Sequence, residues 1–251
     1  MAGVENRVAL VTGAGRGIGL TTAKLLASRG ARVMCVSRSK DELAATGFDY
    51  VAADLGTEKG CAAAVAATEE RLGPVDVFVC NHGIGSAHER VVWEQDPELW
   101  KETMRINLDG PFYLSRLILR GMVERGYGRV VYTSSTAGQI AEYAGSAYNC
   151  SKHGLLGLMR SAAIDGGAYS ITANAVLPGW VRTEMAERSA AQEALDRNLT
   201  VDEVWEERAK FYPPGRVVTP QECAELIAFL AAEESSGISG EAIRVSLGSA
   251  W

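Results

Sequence analysis

The chain has 251 residues, 47% hydrophobic and 22% charged; this is globular composition with ample material for a buried core, and it excludes disordered, collagenous and fibrous classes. Its formal charge is −6, from 25 Lys plus Arg against 31 Asp plus Glu, so the surface repels a phosphate polymer and no nucleic-acid partner is expected. Cys35, Cys61, Cys80, Cys150 and Cys223 are scattered, without a CxxC pair, and the three histidines, His82, His88 and His153, form no HExxH arrangement. Reduced thiols in a cytoplasmic protein, with neither a disulfide frame nor a metal site, are therefore expected. No run approaches the roughly 18 apolar residues of a spanning helix, so no membrane partner is expected either.

Val8 to Thr12 is the first of seven short β-branched runs. It leads into Thr12-Gly13-Ala14-Gly15-Arg16-Gly17-Ile18-Gly19, and Leu20 to Arg29 follows with helical spacing. Glycines between a strand and a helix N-terminus let backbone N–H groups approach a pyrophosphate, which makes this a candidate dinucleotide cradle. The strict GxGxxG spacing fails because Ile18 stands three after Gly15, whereas TGxxxGxG fits with Gly13, Gly17 and Gly19. Taken alone, the turn is also compatible with tight strand-to-helix packing.

The second run, Arg32 to Ser37, ends at Ser37-Arg38, where an NAD-binding chain carries a carboxylate for the ribose hydroxyls. Ser37 removes that carboxylate, and Arg38 can fork onto a 2′-phosphate with Arg16 as a second cation. NADP(H) is favoured and NAD(H) remains possible, the alternative being that Arg38 is a solvated residue paired with Asp41 or Glu42. Little room for a full helix remains before the third run, Asp49 to Ala53. Asp54 then either reaches the adenine edge, with Leu55 beside it in the cofactor-lining set, or caps the helix that follows.

Further along, Glu58 to Leu72, Pro97 to Arg125, Ala147 to Ala163 and Pro220 to Ala232 have helical spacing, while Val75 to Cys80, Arg129 to Ser134, Ile171 to Leu177 and Ala242 to Leu247 complete the strands. From Thr183 to Tyr212 the chain is long, charged and helix-prone, ending at Pro213-Pro214-Gly215. The expected architecture is α/β: one domain over residues 1–251, a doubly wound parallel sheet, Rossmann-like with seven strands, and a helical excursion over the active site at 183–212.

Tyr148 and Lys152 are four apart in a predicted helix, so they share one face. A phenol with a pKa near 10 is a poor proton donor and acceptor at neutral pH, and an adjacent ammonium lowers that value. Tyr148 is thus a candidate general acid for a carbonyl oxygen, or base for an alcohol. Ser135, at the C-terminal end of a predicted strand, can donate to the same oxygen. The alternative is a packed phenol and a surface lysine.

These residues resemble the short-chain dehydrogenase/reductase family in its common branch of about 250 residues. The resemblance runs from Val8 to Leu247: the glycine turn, Asp54, Asn81-His82-Gly83, Asn107, Ser135, Tyr148-Asn149-Cys150-Ser151-Lys152, and Pro178-Gly179 followed by Val181 and Thr183. It implies a catalytic tetrad of Asn107, Ser135, Tyr148 and Lys152, in which Asn107 holds the water of a proton relay and Lys152 also grips the nicotinamide ribose. It further implies that Asn81 and Gly83 line the cofactor cleft and that Val181 and Thr183 hold the carboxamide. A homodimer or homotetramer built on the long helices is implied as well. Two places depart from the family: His82 stands where Ala is usual, and Ser246-Leu247-Gly248 where Asp-Gly-Gly is usual.

Substrate contacts are expected from Gln139 to Ser146, from Ser86 to His88, and from Trp180, Met185, Trp205, Phe211 and Tyr212. The excursion's aromatics either form an apolar lid or pack it onto the core. Glu142 and His88 either bind a polar group of the substrate or face solvent. Arginines that would grip an acyl carrier protein are absent at Gly126 and Tyr169, although Arg125 is adjacent to the first. The expected activity is hydride transfer between NADP(H) and a small to medium, partly apolar ketone or secondary alcohol. A 3-oxoacyl thioester reductase is the alternative within the class, and a non-catalytic nucleotide sensor the alternative outside it.

Overall fold

The computed structural model describes residues 3–86 and 90–249. His88, one of the expected substrate contacts, lies outside the described residues. The strands are β1 (Val8–Thr12), β2 (Arg32–Ser37), β3 (Asp49–Ala52), β4 (Val77–Cys80), β5 (Gly128–Thr133), β6 (Ile171–Pro178) and β7 (Ala242–Val245). They form one parallel sheet in the order β3-β2-β1-β4-β5-β6-β7, within two residues of the expected boundaries.

Helices α1 (Gly17–Ser28) and α9 (Pro220–Leu230) cover one face of the sheet, and α3 (Glu58–Leu72), α5 (Gly110–Arg125) and α6 (Ser146–Gly166) the other. Strand alternation divides the core between these layers. Ala9, Val11, Val77 and Val79 pack with Ala23, Leu26 and Ile227; Leu10, Phe78, Val130 and Tyr132 pack with Leu114, Ile118 and Met159. The buried Tyr132 hydroxyl is satisfied by Ser115 Oγ at 2.7 Å. Between β1 and β4 the strand order changes direction, which opens a crevice at the carboxyl ends of the strands.

Three local outcomes position the site. After Arg38 only a five-residue helix forms, α2 (Lys40–Ala44), started by Ser39, whose side chain accepts from Glu42 N. The excursion folds as α7 (Glu184–Arg197) and α8 (Val201–Lys210), with a capping box at Thr200 and Glu203 starting α8.

The expected single helix from Pro97 to Arg125 is a correction. It is α4 (Pro97–Met104), a π turn at Arg105–Asp109, and then α5. Pro111 has no N–H, so the Asn107 carbonyl four residues earlier loses its α-helical donor. The Asn107 side chain is meanwhile bonded outside the helix, to the Ile84 backbone. Gly110 completes the turn, since a Cβ there would come within 2.1 Å of the Leu55 carbonyl.

Candidate active site

The crevice is a cleft of about 620 Å³ running from the glycine turn to the start of α7. It brings together Gly13, Gly15, Arg16, Gly17, Ile18, Ser37, Arg38, Asp54, Leu55, Asn81, Gly83, Ser135, Tyr148, Lys152, Pro178, Gly179, Val181 and Thr183. Gly19 and Asn107 lie directly behind this wall.

The glycine turn is built for close approach. Gly13 and Gly17 have φ of 64° and 55°, which favour glycine. A Cβ on Gly19 would lie 2.2 Å from the Gly13 carbonyl and 2.6 Å from Asn81 Nδ2. Thr12 Oγ1 accepts from the backbone N–H groups of Asn81 and His82 at 2.9 and 3.2 Å, tying the ends of β1 and β4 together. Across the cleft, Thr183 caps α7 and its methyl group faces Gly17. Val181 is held by a parallel bridge to Val218.

At the end of the cleft beside β2, Arg38 is exposed and, among the described residues, forms no ion pair. The expected alternative of pairing with Asp41 or Glu42 does not occur, because Glu42 pairs with Arg16 at 2.5 Å. Ser37 Oγ is buried without a partner. Asp54 does not cap α3, since Thr57 does so by accepting from Gly60 N. Instead Asp54 accepts from Gly56 N and from Arg105 Nη1, both at 3.0 Å. Burial pushes against its charge, yet Gly56 and the Arg105 guanidinium outweigh it and hold the carboxyl below its ordinary range.

On the floor of the cleft, Lys152 is 5% exposed. Its ammonium donates to the Thr133 carbonyl at 3.1 Å and sits 5.6 Å from the centre of the Tyr148 ring. Burial pulls its pKa down to about 8, against a small opposing pull from Cys80. Ser135 Oγ accepts from Ala137 N at 3.1 Å, which leaves its proton to be donated elsewhere. Asn107 Oδ1 accepts from Ile84 N, and its Nδ2 donates to Ile84 O and to Ser151 Oγ at 2.9 and 3.2 Å. Ser151 Oγ donates in turn to the Tyr148 carbonyl. The Asn107 side chain thus locks the start of α6 to the loop after β4. A Cβ on Gly83 would crowd Asn107 Oδ1 at 3.0 Å.

His82 fills space beside this wall. Its Nδ1 bonds Thr12 Oγ1 at 2.8 Å, and its buried Nε2 faces Gly110 without a partner. Burial, aided by the Lys152 charge, pushes its pKa down to about 3, so the ring is neutral.

The chain is similar to known proteins over nearly its full length. Residues 13–250 match the family model described as enoyl-(acyl carrier protein) reductase. A putative ketoacyl reductase of Streptomyces coelicolor is 34% identical over 98% of this chain and 97% of its own. An acetoacetyl-CoA reductase of Rhizobium meliloti is also 34% identical, over 97% and 98%. Among solved structures, levodione reductase superposes with a TM-score of 0.92 at 32% identity, covering 97% of both chains. A variant of actinorhodin polyketide ketoreductase crystallised with NADPH gives 0.90 at 33%, covering 97% and 98%. The chain is a short-chain dehydrogenase/reductase.

The substrate side of this short-chain dehydrogenase/reductase divides the excursion's aromatics. Trp205 and Tyr212 are 5% and 2% exposed; Trp205 packs with Ala186, Ala190 and Ala194 of α7 and with Trp180 in a small cluster separate from the core layers, and Tyr212 Oη accepts from Trp180 N at 2.5 Å. Arg208 stacks on Trp180 at 3.7 Å and pairs with Glu193. Met185 and Phe211, at 43% and 60% exposed, stay open. Ser86, Glu142, Trp180 and Met185 line the cleft. The loop carrying Glu142 is held by Asn149, whose amide bonds both Glu142 N and Glu142 O. Sequence reasoning gave no role to Ser151 and none at the cleft to Glu184, which pairs with Arg16 and Arg188. Their signals are weak, since a Ser in a helix and a Glu in a first turn are ordinary there.

Proposed function

We propose that this enzyme is an NADP(H)-dependent reductase of a small to medium, partly apolar ketone, and in reverse a secondary-alcohol dehydrogenase, with Tyr148 as the general acid and base. The observation that carries the reading is the buried Lys152 ammonium, fixed by Thr133 O against the Tyr148 ring at the bottom of a cleft that begins in a glycine cradle. Gly13, Gly15, Gly17, Ile18 and Gly19 would hold the dinucleotide's pyrophosphate, and Arg16, Ser37 and Arg38 its 2′-phosphate. Asp54 and Leu55 would border the adenine, Asn81, Gly83, Pro178 and Gly179 would line the cleft, and Val181 and Thr183 would hold the carboxamide. The unpartnered Ser37 Oγ, and a turn in which Gly13 and Gly17 hold positive φ and Gly19 leaves no room for a side chain against Gly13 O, fit such a guest. When bound, the reduced dinucleotide supplies the hydride.

The chain's own residues handle the proton. Tyr148 Oη gives its proton to the carbonyl oxygen as negative charge develops there, and Ser135 Oγ donates to the same oxygen. Lys152 stabilises the phenolate that remains and binds the nicotinamide ribose hydroxyls. With the Asn107 side chain engaged by Ile84 and Ser151, its backbone carbonyl is the group that would hold the water returning a proton through Lys152. Met185, exposed on the cleft wall, favours an apolar portion of the substrate, with the 183–212 excursion serving as its lid, whereas Phe211 is not among the residues that line the cleft. Assembly as a homodimer or homotetramer through α4, α5 and α6 belongs to the same reading, with Trp100 and Phe112 outward on them.

A second reading, a 3-oxoacyl thioester reductase, is favoured by the ketoacyl and acetoacetyl-CoA reductases among the relatives. Against a carrier-protein partner, Arg125 is tied to the Val75 carbonyl at 2.6 Å. Assaying free ketones against β-ketoacyl thioesters separates the two. The central test is Tyr148→Phe, which should bind NADPH as the unmodified enzyme does while turnover falls by roughly 10²–10⁴-fold. Undiminished turnover refutes the mechanism. Parallel fluorescence titration should show NADPH binding at least about tenfold tighter than NADH, a difference of about 1.4 kcal/mol.

A further inference from the structure

The adenosine end of the cleft holds a carboxylate that the reading above does not use. Glu42 stands in the third position of the five-residue α2, four residues beyond Arg38. Its Oε1 pairs with Arg16 Nη1, and its Oε2 lies 2.9 Å from where a Cβ on Gly15 would be. The unpartnered Ser37 Oγ is 3.3 Å from that same point. Glu42 therefore sits over Gly15 beside the end of β2, where an acid on the strand itself would stand in a chain built for NAD.

Arg16 is claimed twice. Besides Glu42 it bonds Glu184 at 3.2 Å, and Glu184 also holds Arg188. One of the two cations available to a 2′-phosphate is thus already neutralised from α2 and from α7. Arg38, among the described residues, is in no ion pair.

We propose that Glu42 is a cofactor-selectivity residue that competes with the dinucleotide's 2′-phosphate for Arg16. This rests on the NADP(H) reading above. Its chemistry is asymmetric. A 2′-phosphate must lift Arg16 off Glu42 and then lie beside the displaced carboxylate, whereas the 2′-hydroxyl of NAD(H) can donate to that carboxylate. The partly exposed Arg16–Glu42 pair is the kind that is readily exchanged, so Glu42 narrows the preference for NADPH without abolishing it.

The test is fluorescence titration of the dinucleotide-free protein with NADPH and with NADH, in the unmodified chain, Glu42→Gln, Arg16→Gln and the double variant. Glu42→Gln should tighten NADPH at least threefold and leave NADH unchanged or weaker. In the Arg16→Gln background the same substitution should bring no gain. A change of less than threefold in the ratio of the two dissociation constants overturns the proposal, as does a gain that persists undiminished without Arg16. If the unmodified chain binds neither dinucleotide, the proposed function falls as well. Glu42 is partly exposed, and thermal melting of each variant establishes that the site compared is folded.

Discussion

His82 makes the stability of this enzyme acid-sensitive in a way that can be measured directly. The folded chain holds the ring near pKa 3, against an ordinary 6.5 in the unfolded chain. Below pH 6.5 the unfolded state takes up a proton that the folded state refuses, so unfolding is favoured as the pH falls. The stability that His82 confers is complete above about 6.5 and is lost progressively down to about 3. At about 1.4 kcal/mol per pH unit, the loss is about 2 kcal/mol between pH 7 and 5 and about 5 kcal/mol over the whole window. The physical cause is local: burial penalises the charged ring, Lys152 adds like charge, and the N–H that a charged ring carries at Nε2 would have no acceptor beside Gly110. Urea unfolding at pH 7 and 5 should be compared for the unmodified chain and for His82→Ala, the residue usual in the family. At pH 7 the variant should be less stable by about 1–3 kcal/mol, from the lost Thr12 bond and the void left behind. Between pH 7 and 5, however, it should lose about 2 kcal/mol less than the unmodified chain. Equal losses in the two proteins, at unchanged denaturant slopes, would refute the argument.

Other expectations follow from single contacts. With Lys152 titrating at about 8, kcat/KM for ketone reduction should be level below that pH and decline above it, and a profile flat to pH 10 would contradict the role of its charge. Burial pushes the thiols of Cys35, Cys61, Cys80 and Cys223 up to about 12, while Cys150 is exposed. Ellman's reagent on the native protein should therefore report one fast thiol, and all five only after denaturation. Tyr212→Phe leaves the Trp180 N–H without its acceptor; it should lower stability by about 1–3 kcal/mol, read as a fall in Tm.

The parts of this molecule that were legible in its sequence are those punctuated locally. Glu58–Leu72 begins and ends where its spacing says, because Thr57 caps one end and Gly73, at φ 95°, turns the chain at the other. The glycine turn after β1 and the four-residue step from Tyr148 to Lys152 speak through backbone chemistry and helix geometry, so both could be placed before any coordinates. Pro97 to Arg125 could not be resolved the same way, since one extra residue in a turn hardly disturbs an apolar pattern. The available signal was Pro111, which withholds a donor from Asn107. Arg38 and Glu42 illustrate a different limit. Which carboxylate meets which guanidinium is decided by where α2 lies relative to the glycine turn, a tertiary fact to which charge patterning along the chain is blind. The same holds for the excursion: only packing separates the buried Trp205 from the open Met185.

The π turn at Arg105–Asp109 also constrains how this chain can change length. Each residue of an α-helix advances the helical phase by about 100°. Removing one residue here would rotate everything beyond it by that angle. Leu114, Ile118 and Met122, which now face the sheet, would swing toward solvent, and Asn107 would leave Ile84. The turn is therefore a phase adjuster between the wall of the active site and the hydrophobic layer behind it. Single-residue deletions in this segment should be far more damaging than deletions of equal length in the exposed turn at 213–215, where α8 has ended and α9 has not begun.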